Sequence, residues 1–384
     1  MNETALKVKD AFSKKFGGAP RLFYSPGRIN LIGEHVDYND GFVMPAAIDK
    51  GIYFAISLNN TEKINFYSID FDESISIKIS EVRKSDGWKN YVLGVVNEFQ
   101  KLKLPIGGFD CVFGGNIPIG SGMSSSAALE GGISYGLNEL FNLKMNRKEL
   151  ALIGQRAEHD FPNVKCGIMD QYANMMGKKN MVILLDCEKV THEYVPLRLE
   201  GFQIVLINTK VHHSLASSAY NQRRNECKKG LKILQLESDI QSFRDIKNPA
   251  DLFGFENIMG EAVYKRCSFV VEEIFRTKKA AKLLKEGDIT GFGKLMFETH
   301  EGLKNKYEVS CKELDFLVGV AKETKDVVGA RLMGGGFGGC TINIIKEESV
   351  SAFIKEAIKA YQNKFNIDAE SYVVKIAGGT TEIK

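Results

Sequence analysis

The sequence contains no long run of apolar residues and no strong excess of charge of either sign. None of its apolar stretches approaches the roughly 18 residues of a membrane-spanning helix, and the N-terminal segment lacks the apolar centre of a signal peptide. The formal net charge of +3 is spread evenly over 384 residues, which argues against a nucleic acid or a membrane surface as partner. We therefore expect a cytoplasmic protein that acts on small molecules.

Cysteine and histidine occur without a disulfide or metal-binding pattern. The seven cysteines are an odd number at long intervals with no C-x-x-C pair, and the six histidines form no H-E-x-x-H motif. This pattern predicts reduced, mostly buried thiols and no structural zinc.

Two familiar phosphate-binding motifs each fail at one residue. Gly115 and Gly120 have the spacing of a Walker A loop, but Ser121 stands where that motif requires lysine. The dinucleotide motif G-x-G-x-x-G is also broken, because Ser125 replaces its third glycine. The stretch GNIPIGSGMSSSAALEGG, residues 115–132, is nevertheless a glycine- and serine-rich loop that leads into a helix. Free backbone N–H groups and the positive end of a helix dipole suit an anion, so we predict that this loop binds phosphate.

A second glycine cluster, at residues 334–339, matches the dinucleotide motif in the wrong context. A dinucleotide site needs a helix after the glycines, whereas the residues that follow here, CTINIIK, have the composition of a strand. Closely spaced glycines between two strands favour a tight hairpin. We interpret this hairpin as a lid that lies against an active site. The alternative is a turn that only packs against another part of the backbone.

The order of helical and strand patterns indicates two α+β domains. Strand-like segments dominate residues 20–80, and a helix, the glycine- and serine-rich loop and further helices follow. After about residue 195 come a strand, a mostly helical stretch to about 325, the glycine hairpin, a helix and a last strand, ESYVVKIA. We place the domains at residues 1–195 and 196–384. The N-terminal segment is predicted to form an amphipathic helix with Leu6 and Phe12 on one side.

The segment SPGRINLIGEHVDYNDG, residues 25–41, holds the densest polar chemistry in the chain. Arg28, Glu34, His35 and Asp37 alternate there with aliphatic side chains, which a solvated loop would not need. Two carboxylates, an imidazole and a guanidinium suit a polyol, because each sugar hydroxyl both donates and accepts a hydrogen bond. We predict a polyol site; the alternative is a charged turn with internal salt bridges.

Taken together, these segments resemble the galactokinases of the GHMP kinase superfamily. GRINLIGEHVDYNDG is similar to the galactokinase signature, GNIPIGSGMSSSAALE to the phosphate loop of the superfamily, and RLMGGGFGGCTI to its third motif. Three further stretches match in the family's order: AEHDFPNVKCGIMDQYANMMG, VHHSLASSAYNQRRNEC and YEVSCKELDFL. The resemblance implies a two-domain α+β GHMP kinase fold with the active site between the domains. The N-terminal domain would be a ribosomal-protein-S5-like mixed α/β domain, and the C-terminal domain would be ferredoxin-like.

For ATP, the resemblance implies that the glycine- and serine-rich loop wraps the phosphates with its backbone amides and the start of the next helix. The residues expected there are Gly120, Ser121, Gly122, Met123, Ser124, Ser125, Ser126, Ala127 and Ala128. The serines Ser124 and Ser125 would also suit a helix cap. Ser126 and Glu158 would hold Mg²⁺, which prefers hard oxygen ligands. Ser68 and Trp88 would belong to the adenine pocket, and the alternative for this aromatic residue is a place in the core.

For the sugar, the resemblance implies a site made of Arg28, Glu34, His35, Asp37, Gly167, Asp170 and Tyr220. Asp170 and Arg28 would be the catalytic residues, with Asp170 beside the anomeric hydroxyl. The expected reaction, the first phosphorylation step of galactose catabolism in the Leloir pathway, transfers a phosphoryl group from ATP to the C1 hydroxyl of α-D-galactose. A guanidinium weakens a neighbouring carboxylate as a base. Two roles therefore stay open for Asp170: to remove the proton, or only to orient the hydroxyl.

Two other functions are compatible with the same residues. One is a kinase for a related sugar, N-acetylgalactosamine or arabinose, although HVDYNDG is more similar to the galactose enzymes. The other is a non-catalytic sensor of sugar and ATP, as among fungal galactokinase-like proteins. Such proteins lose residues of the phosphate loop, which are present here. The resemblance implies a cytoplasmic monomer with galactose and ATP as its small-molecule substrates and Mg²⁺ as its cofactor.

Overall fold

The computed structural model describes residues 2–118, 120–212 and 216–384. Ile119, in the glycine- and serine-rich loop, and residues 213–215, in the stretch VHHSLASSAYNQRRNEC, lie outside the described residues. The strands are β1 (Arg21–Asn30), β2 (Phe42–Val43), β3 (Pro45–Leu58), β4 (Lys63–Ser68), β5 (Glu73–Lys78), β6 (Phe109–Gly115), β7 (Met181–Asp186), β8 (Thr191–Pro196), β9 (Phe202–His212), β10 (Val327–Leu332), β11 (Gly338–Lys346), β12 (Glu370–Val374) and β13 (Thr381–Ile383).

The α-helices of the described chain are α1 (Glu3–Phe16), α2 (Lys89–Lys101), α3 (Ser125–Leu140), α4 (Arg147–Asp160), α5 (Met169–Met176), α6 (Ala216–Glu237), α7 (Glu256–Met259), α8 (Glu261–Glu286), α9 (Ile289–Asn305), α10 (Lys312–Glu323) and α11 (Val350–Phe365). Short 3₁₀ helices span Asp37–Asn39, Ile79–Glu81, Phe243–Asp245, Pro249–Leu252 and Glu347–Ser349. None of the helices in the described residues is long and apolar enough to cross a membrane.

Six strands form the first sheet, in the order β13–β1–β3–β6–β4–β5. Strands β4 and β6 are parallel, and the other neighbours are antiparallel. Helix α3 packs on β1 and β3. Gly132 permits this close approach, because a Cβ there would lie 2.0 Å from Cε2 of Phe54. The loop before α3 is joined to β1 by a 3.0 Å backbone hydrogen bond from Arg28 N to Met123 O, so the two motifs of the sequence lie side by side.

Four antiparallel strands form the second sheet, in the order β10–β11–β9–β12. Alternate side chains of a strand point to opposite faces, and β9 buries both of its faces. Val205 and Ile207 lie in a core with residues of α10 and α11. Ile204 and Leu206 lie in another core, which also contains Ile29 of β1. This second core fixes the sheet, and the glycine hairpin between β10 and β11, against the segment at residues 25–41.

The chain also forms a three-stranded antiparallel sheet, β2–β7–β8, and its last strand returns to the first sheet. Strand β13 pairs with β1. Just before it, the buried Thr380 hydroxyl donates to Oδ1 of Asn174 in α5 at 2.7 Å. The C-terminal segment therefore supports both β1 and α5. The division of the chain into domains at residue 195 stays a prediction.

Most of the predicted elements are confirmed. Helices α1, α2 and α3, and the hairpin of β10 and β11, lie where the patterns indicated. The seven cysteines are free thiols, and five of them are buried. The prediction that Leu6 shares the buried side of α1 is wrong, because six residues rotate a helix by about 240°. Leu6 is 45% exposed, and Ala5, Val8 and Phe12 form the buried side instead.

Two elements were not predicted from the sequence. Helix α5 has eight residues, too few to show a helical period. Strand β13 has only three residues and follows a pair of glycines. Both are recognisable only in the folded chain, where α5 packs on β1 and β3, and β13 pairs with β1.

Candidate active site

A cavity of about 180 Å³ lies where the segment at residues 25–41, the start of α5, helix α6 and the glycine hairpin meet. It brings together every residue that was predicted to bind or orient a sugar, and Glu158 as well. Its lining consists of Arg28, Glu34, His35, Asp37, Tyr38, Glu158, Val164, Cys166, Gly167, Met169, Asp170, Tyr220, Gly334 and Gly335. We call this space the polar cavity.

Arg28 and Asp170 form a bidentate ion pair in the polar cavity. Nε of Arg28 donates to Oδ1 of Asp170 at 2.7 Å, and Nη2 donates to Oδ2 at 2.7 Å. Arg28 is buried on β1, and Asp170 lies in the first turn of α5. Nη1 of Arg28 also donates to the carbonyl of Gly122, and the Ser124 hydroxyl donates to Oδ2 of Asp170. The pair therefore connects the polar cavity with the glycine- and serine-rich loop.

Ser124 directly precedes α3, and its side chain does not cap the helix. It takes the left-handed conformation, with φ 57° and ψ 58°, and its hydroxyl is used by Asp170 instead of a helix N–H. The first-turn N–H groups that a capping side chain would satisfy are therefore left to another acceptor. Such a helix start, beside a glycine loop, suits a phosphate group.

The other residues of this loop fall into two groups. Ser121 donates its hydroxyl to the carbonyl of Pro118 at 2.6 Å, and Met123 is buried in the core beneath the loop. Ala127 and Ala128 are buried in the first turns of α3, and Gly120 and Gly122 take φ values of 71°. Ser125 and Ser126 line the neighbouring cavity, together with residues 115–118 and Leu129 of the same stretch.

That neighbouring cavity, of about 520 Å³, is mainly apolar and aromatic. We call it the aromatic cavity. Trp88 lines it and also belongs to the hydrophobic core, so its assignment to an adenine pocket stays a prediction. Ser68 does not line it: Ser68 is fully buried, and its hydroxyl accepts a 3.4 Å hydrogen bond from Phe71 N. The remaining lining residues were not assigned to an adenine pocket, although the last five lie in the stretch 115–132 that was predicted to bind phosphate. They are Ile52, Asp70, Phe71, Tyr91, Phe113, Gly115, Asn116, Ile117, Pro118 and Leu129.

The structure also brings together the two residues predicted to hold Mg²⁺. Ser126 and Glu158 lie near enough for the Ser126 hydroxyl to lower the pKa of the Glu158 carboxyl. Oε2 of Glu158 also accepts from Nε2 of Gln171 at 2.6 Å. Burial, followed by the negative charge of Asp170, raises the pKa of Glu158 to about 7. A buried carboxylate with a hydroxyl beside it and a second carboxylate near is a donor set that fits a divalent cation with hard-oxygen preference.

Burial shifts the pKa values of two groups in the segment at residues 25–41, His35 and Asp37. Burial lowers the pKa of His35 to about 4, so its imidazole is neutral at pH 7. Burial, and then the charges of Asp170 and Glu34, raise the pKa of Asp37 to about 7. Gly167 leaves room for Asp37, because a Cβ at Gly167 would lie 2.0 Å from Oδ2 of Asp37. This glycine therefore fixes where the carboxylate can lie.

Aromatic side chains hold His35 from two sides. Nδ1 of His35 lies 2.7 Å from the hydroxyl of Tyr38, which lies 3.0 Å from the hydroxyl of Tyr307. The ring of Tyr220 lies 5.6 Å from that of His35 and 5.4 Å from that of Tyr38. Tyr220 comes from α6, so the second half of the chain supplies one wall of the polar cavity.

Arg331 is a buried arginine that the sequence analysis did not identify. It lies in β10, directly before the glycine hairpin, and two of its nitrogens lie 3.1 Å from Oε1 of Glu34. The same Oε1 accepts a 2.9 Å hydrogen bond from Gly334 N. The hairpin therefore lies against the polar cavity, as expected, and is bonded to the segment at residues 25–41.

Family models and curated relatives match nearly the whole chain. Residues 10–58 match the galactokinase galactose-binding signature, residues 90–178 the GHMP kinase N-terminal domain, and residues 280–364 the GHMP kinase C-terminal domain. The galactokinase of Clostridium acetobutylicum is 42% identical, over 98% of this chain and 97% of its own. The galactokinase of Bacillus subtilis is 41% identical, over 98% and 99%.

Solved structures agree with these matches. The crystal structure of Lactococcus lactis galactokinase complexed with galactose superposes with a TM-score of 0.95 at 38% identity, over 98% of this chain and 99% of that one. The mevalonate kinase of Methanococcus jannaschii has a TM-score of 0.64 at 21% identity, over 94% and 99%, and shares the fold. The GHMP kinase fold predicted from the sequence is thereby confirmed.

Proposed function

This chain belongs to the galactokinase family of the GHMP kinases, and on that premise we propose that it transfers the γ-phosphoryl group of ATP to the C1 hydroxyl of α-D-galactose. The observation that carries the proposal is the Arg28–Asp170 pair. It lies in a polar cavity suited to a polyol, and Arg28 and Ser124 connect it directly to the glycine- and serine-rich loop. A sugar hydroxyl in that cavity would meet a phosphoryl group held by the loop.

We propose that the loop binds the ATP phosphates through its backbone. Two of its glycines take positive φ, and the first turn of α3 is not capped by the Ser124 side chain. The aromatic cavity, which Trp88 and the side chains of Ser125 and Ser126 line, adjoins the loop and has room for a nucleoside. From the aromatic cavity, past the loop, to the polar cavity, the proposed order is therefore adenine base, phosphates and sugar.

Ser126 and Glu158 would hold Mg²⁺ at the phosphates. Bound there, the ion would neutralise charge on the transferring phosphoryl group. A cation would also favour the ionised form of Glu158, whose pKa burial and the charge of Asp170 raise to about 7. Gln171 keeps the carboxylate oriented through its 2.6 Å hydrogen bond.

In the proposed reaction, the C1 oxygen attacks the γ-phosphorus and the bond to the β–γ bridging oxygen breaks, which releases ADP. Asp170 would orient the C1 hydroxyl and accept its proton or a hydrogen bond from it. Arg28, held rigidly by Asp170 and the Gly122 carbonyl, would face the charge that develops on the transferring group. A loose transition state needs little activation of the nucleophile, so late proton transfer to Asp170 suffices.

Glu34, His35, Asp37, Gly167 and Tyr220 would complete the sugar site. Because burial lowers the pKa of His35 to about 4, its neutral ring can donate through one nitrogen and accept through the other. A site of this kind rejects an epimer, because a misplaced hydroxyl leaves buried polar groups without partners. We also propose a cytoplasmic monomer with the domain division at residues 195 and 196.

A coupled assay of ADP release tests the proposal. The purified protein is given ATP, Mg²⁺ and, separately, galactose, glucose, N-acetylgalactosamine, arabinose or mevalonate. We expect kcat/KM for galactose to exceed the others by at least about 100-fold. Higher turnover on another sugar would keep the mechanism and overturn the substrate. Galactose binding by calorimetry without turnover on any sugar would favour a sensor.

A further inference from the structure

Arg331 is fully buried, and its guanidinium reaches two separate stretches of the chain. Nε donates to the carbonyl of Leu31 at 2.9 Å, and Nη2 donates to the carbonyl of Asn30. Nη1 donates to the carbonyl of Leu332 at 2.5 Å, at the root of the glycine hairpin. One arginine thereby joins the end of β1 to the end of β10.

The same guanidinium holds one oxygen of Glu34. Nη1 and Nη2 of Arg331 both lie 3.1 Å from Oε1, and Gly334 N donates to that oxygen at 2.9 Å. Three donors thus converge on Oε1 and leave Oε2 as the oxygen that this cluster does not hold. Since Glu34 lines the polar cavity, its second oxygen is the one available to a ligand there.

We propose that Arg331 is a positioning residue for sugar recognition. It sets the rotation of the Glu34 carboxylate and makes the glycine hairpin and the segment at residues 25–41 move as one unit. This inference rests on the proposed function, because it takes Glu34 as a ligand of the sugar. Arg331 itself does not line the polar cavity, so its effect on sugar affinity passes through Glu34.

The chemistry of arginine accounts for this role. A planar guanidinium carries donors in fixed directions, so it can bond three backbone carbonyls and a carboxylate oxygen together only in one arrangement. A buried ion pair of this kind adds little net stability compared with apolar residues of the same size. What the cluster provides is therefore a fixed geometry. Lysine, a point charge with three rotatable donors, cannot reproduce it.

The first test is Arg331→Lys, which keeps the positive charge but removes the planar set of guanidinium N–H donors. We expect the galactose KM to rise at least about tenfold, the effect of weakening a hydrogen bond to a charged group, while the ATP KM changes less than about threefold. Arg266→Lys is the matched control. Arg266 is also buried and binds Glu226 and Glu308 in the helical part of the chain, and neither partner lines either cavity.

The control variant separates an effect on the position of Glu34 from a general loss of protein stability. Both variants are expected to lower the melting temperature, but only Arg331→Lys should raise the galactose KM. A galactose KM within about twofold of the unsubstituted protein in Arg331→Lys would overturn the proposal.

A double variant keeps the proposal testable if the single variant does not fold. Arg331→Met combined with Glu34→Gln removes both buried charges and leaves neither unpaired. If Arg331 acts through Glu34, the double variant should have the same galactose KM as Glu34→Gln alone. An additional tenfold rise in the double variant would contradict the proposal.

Hydrogen exchange on the ligand-free protein separates this inference from the proposed function. In Arg331→Lys we expect faster amide exchange in residues 30–35 and 333–339 together, because one cluster holds both. Unchanged exchange in either segment would refute the coupled movement. Failure of the unsubstituted protein to phosphorylate galactose would instead refute the function, and the exchange result would still stand.

Discussion

Arg28 of β1 and Asp170 of α5 face each other as a bidentate ion pair, with both nitrogen–oxygen distances at 2.7 Å. The carbonyl of Gly122 accepts from the same guanidinium, and the Ser124 hydroxyl donates to the same carboxylate. The group proposed to orient the sugar is thus bonded to the loop proposed to hold the phosphates. A change in either partner is expected to affect the transfer step more than substrate binding.

Substitution of either partner of this pair tests that expectation. We expect Asp170→Asn and Arg28→Ala each to lower kcat by roughly 10²- to 10⁴-fold, because the acceptor or the positive charge at the transferring group is lost. Steady-state kinetics with galactose and ATP gives kcat, and calorimetry gives galactose affinity. If Asp170→Asn binds galactose normally and keeps substantial kcat, Asp170 does not act as a base.

Gly167→Ala tests the placement of Asp37. The new methyl group would start 2.0 Å from Oδ2 of Asp37, so the carboxylate must move. We expect the galactose KM to rise about tenfold or more, with the ATP KM unchanged. Gly319→Ala is the matched control, because a methyl group at that position in α10 would meet no atom within 4 Å and should be tolerated. An equal effect of both substitutions would show that the contact with Asp37 is not responsible.

Phe71→Ala tests the aromatic cavity. Phe71 lines that cavity and is 47% exposed, so its loss should leave the fold intact. We expect the ATP KM to rise roughly three- to tenfold through the loss of apolar contact with the base, and the galactose KM to stay the same. Phe253→Ala, at a 74% exposed position outside both cavities, is the control. A rise in the galactose KM alone would place the nucleotide elsewhere.

Asp37→Asn tests how much the buried negative charge of Asp37 destabilises the folded protein. Burial, with the charges of Asp170 and Glu34, raises the pKa of Asp37 from 3.8 to about 7. Because the folded-state pKa lies above the unfolded value, ionisation destabilises the fold by an amount that is absent below about pH 4 and grows up to pH 7. We expect Asp37→Asn to raise the free energy of unfolding at pH 8 by on the order of 2–4 kcal/mol.

Urea unfolding at pH 8, 6.5 and 5 measures this effect. The increase in the free energy of unfolding caused by Asp37→Asn should become smaller as the pH falls. Asp10→Asn, at an exposed position of α1, should show no gain at any pH. The same Asp37→Asn protein should bind galactose more weakly, since a carboxylate accepts stronger hydrogen bonds than an amide oxygen. Lower stability of Asp37→Asn at pH 8 would mean that partners stabilise the ionised carboxylate.

The sequence predicted the chemistry of the site better than its geometry. The loop before α3 and the segment at residues 25–41 stand out by composition alone, because glycine, serine and clustered charges have few other uses there. No spacing rule brings Gly167, Asp170 and Tyr220 to the segment at residues 25–41. Family resemblance suggested that set, and the folded chain gathers it around one cavity.

The residues that the sequence analysis missed share a physical reason. A single arginine in a strand, such as Arg331, is usually exposed, and only the fold shows that five donor contacts make its burial possible. Ser68 is the opposite case: this serine of an amphipathic strand was assigned to the adenine pocket, and the fold buries it fully. Side-chain environment depends on the whole fold, and short sequence windows do not contain it.

The pairing of β13 with β1 has a consequence for how the enzyme is made. The ribosome makes residues 381–383 long after β1, yet these residues form the edge of the sheet that carries Arg28. Thr380, made just before them, bonds to Asn174 on the helix that carries Asp170. A nascent chain that has emerged only through its first half therefore lacks two supports of the Arg28–Asp170 pair. Kinase activity should appear only after residues 380–383 have emerged, as a single step, instead of growing with chain length.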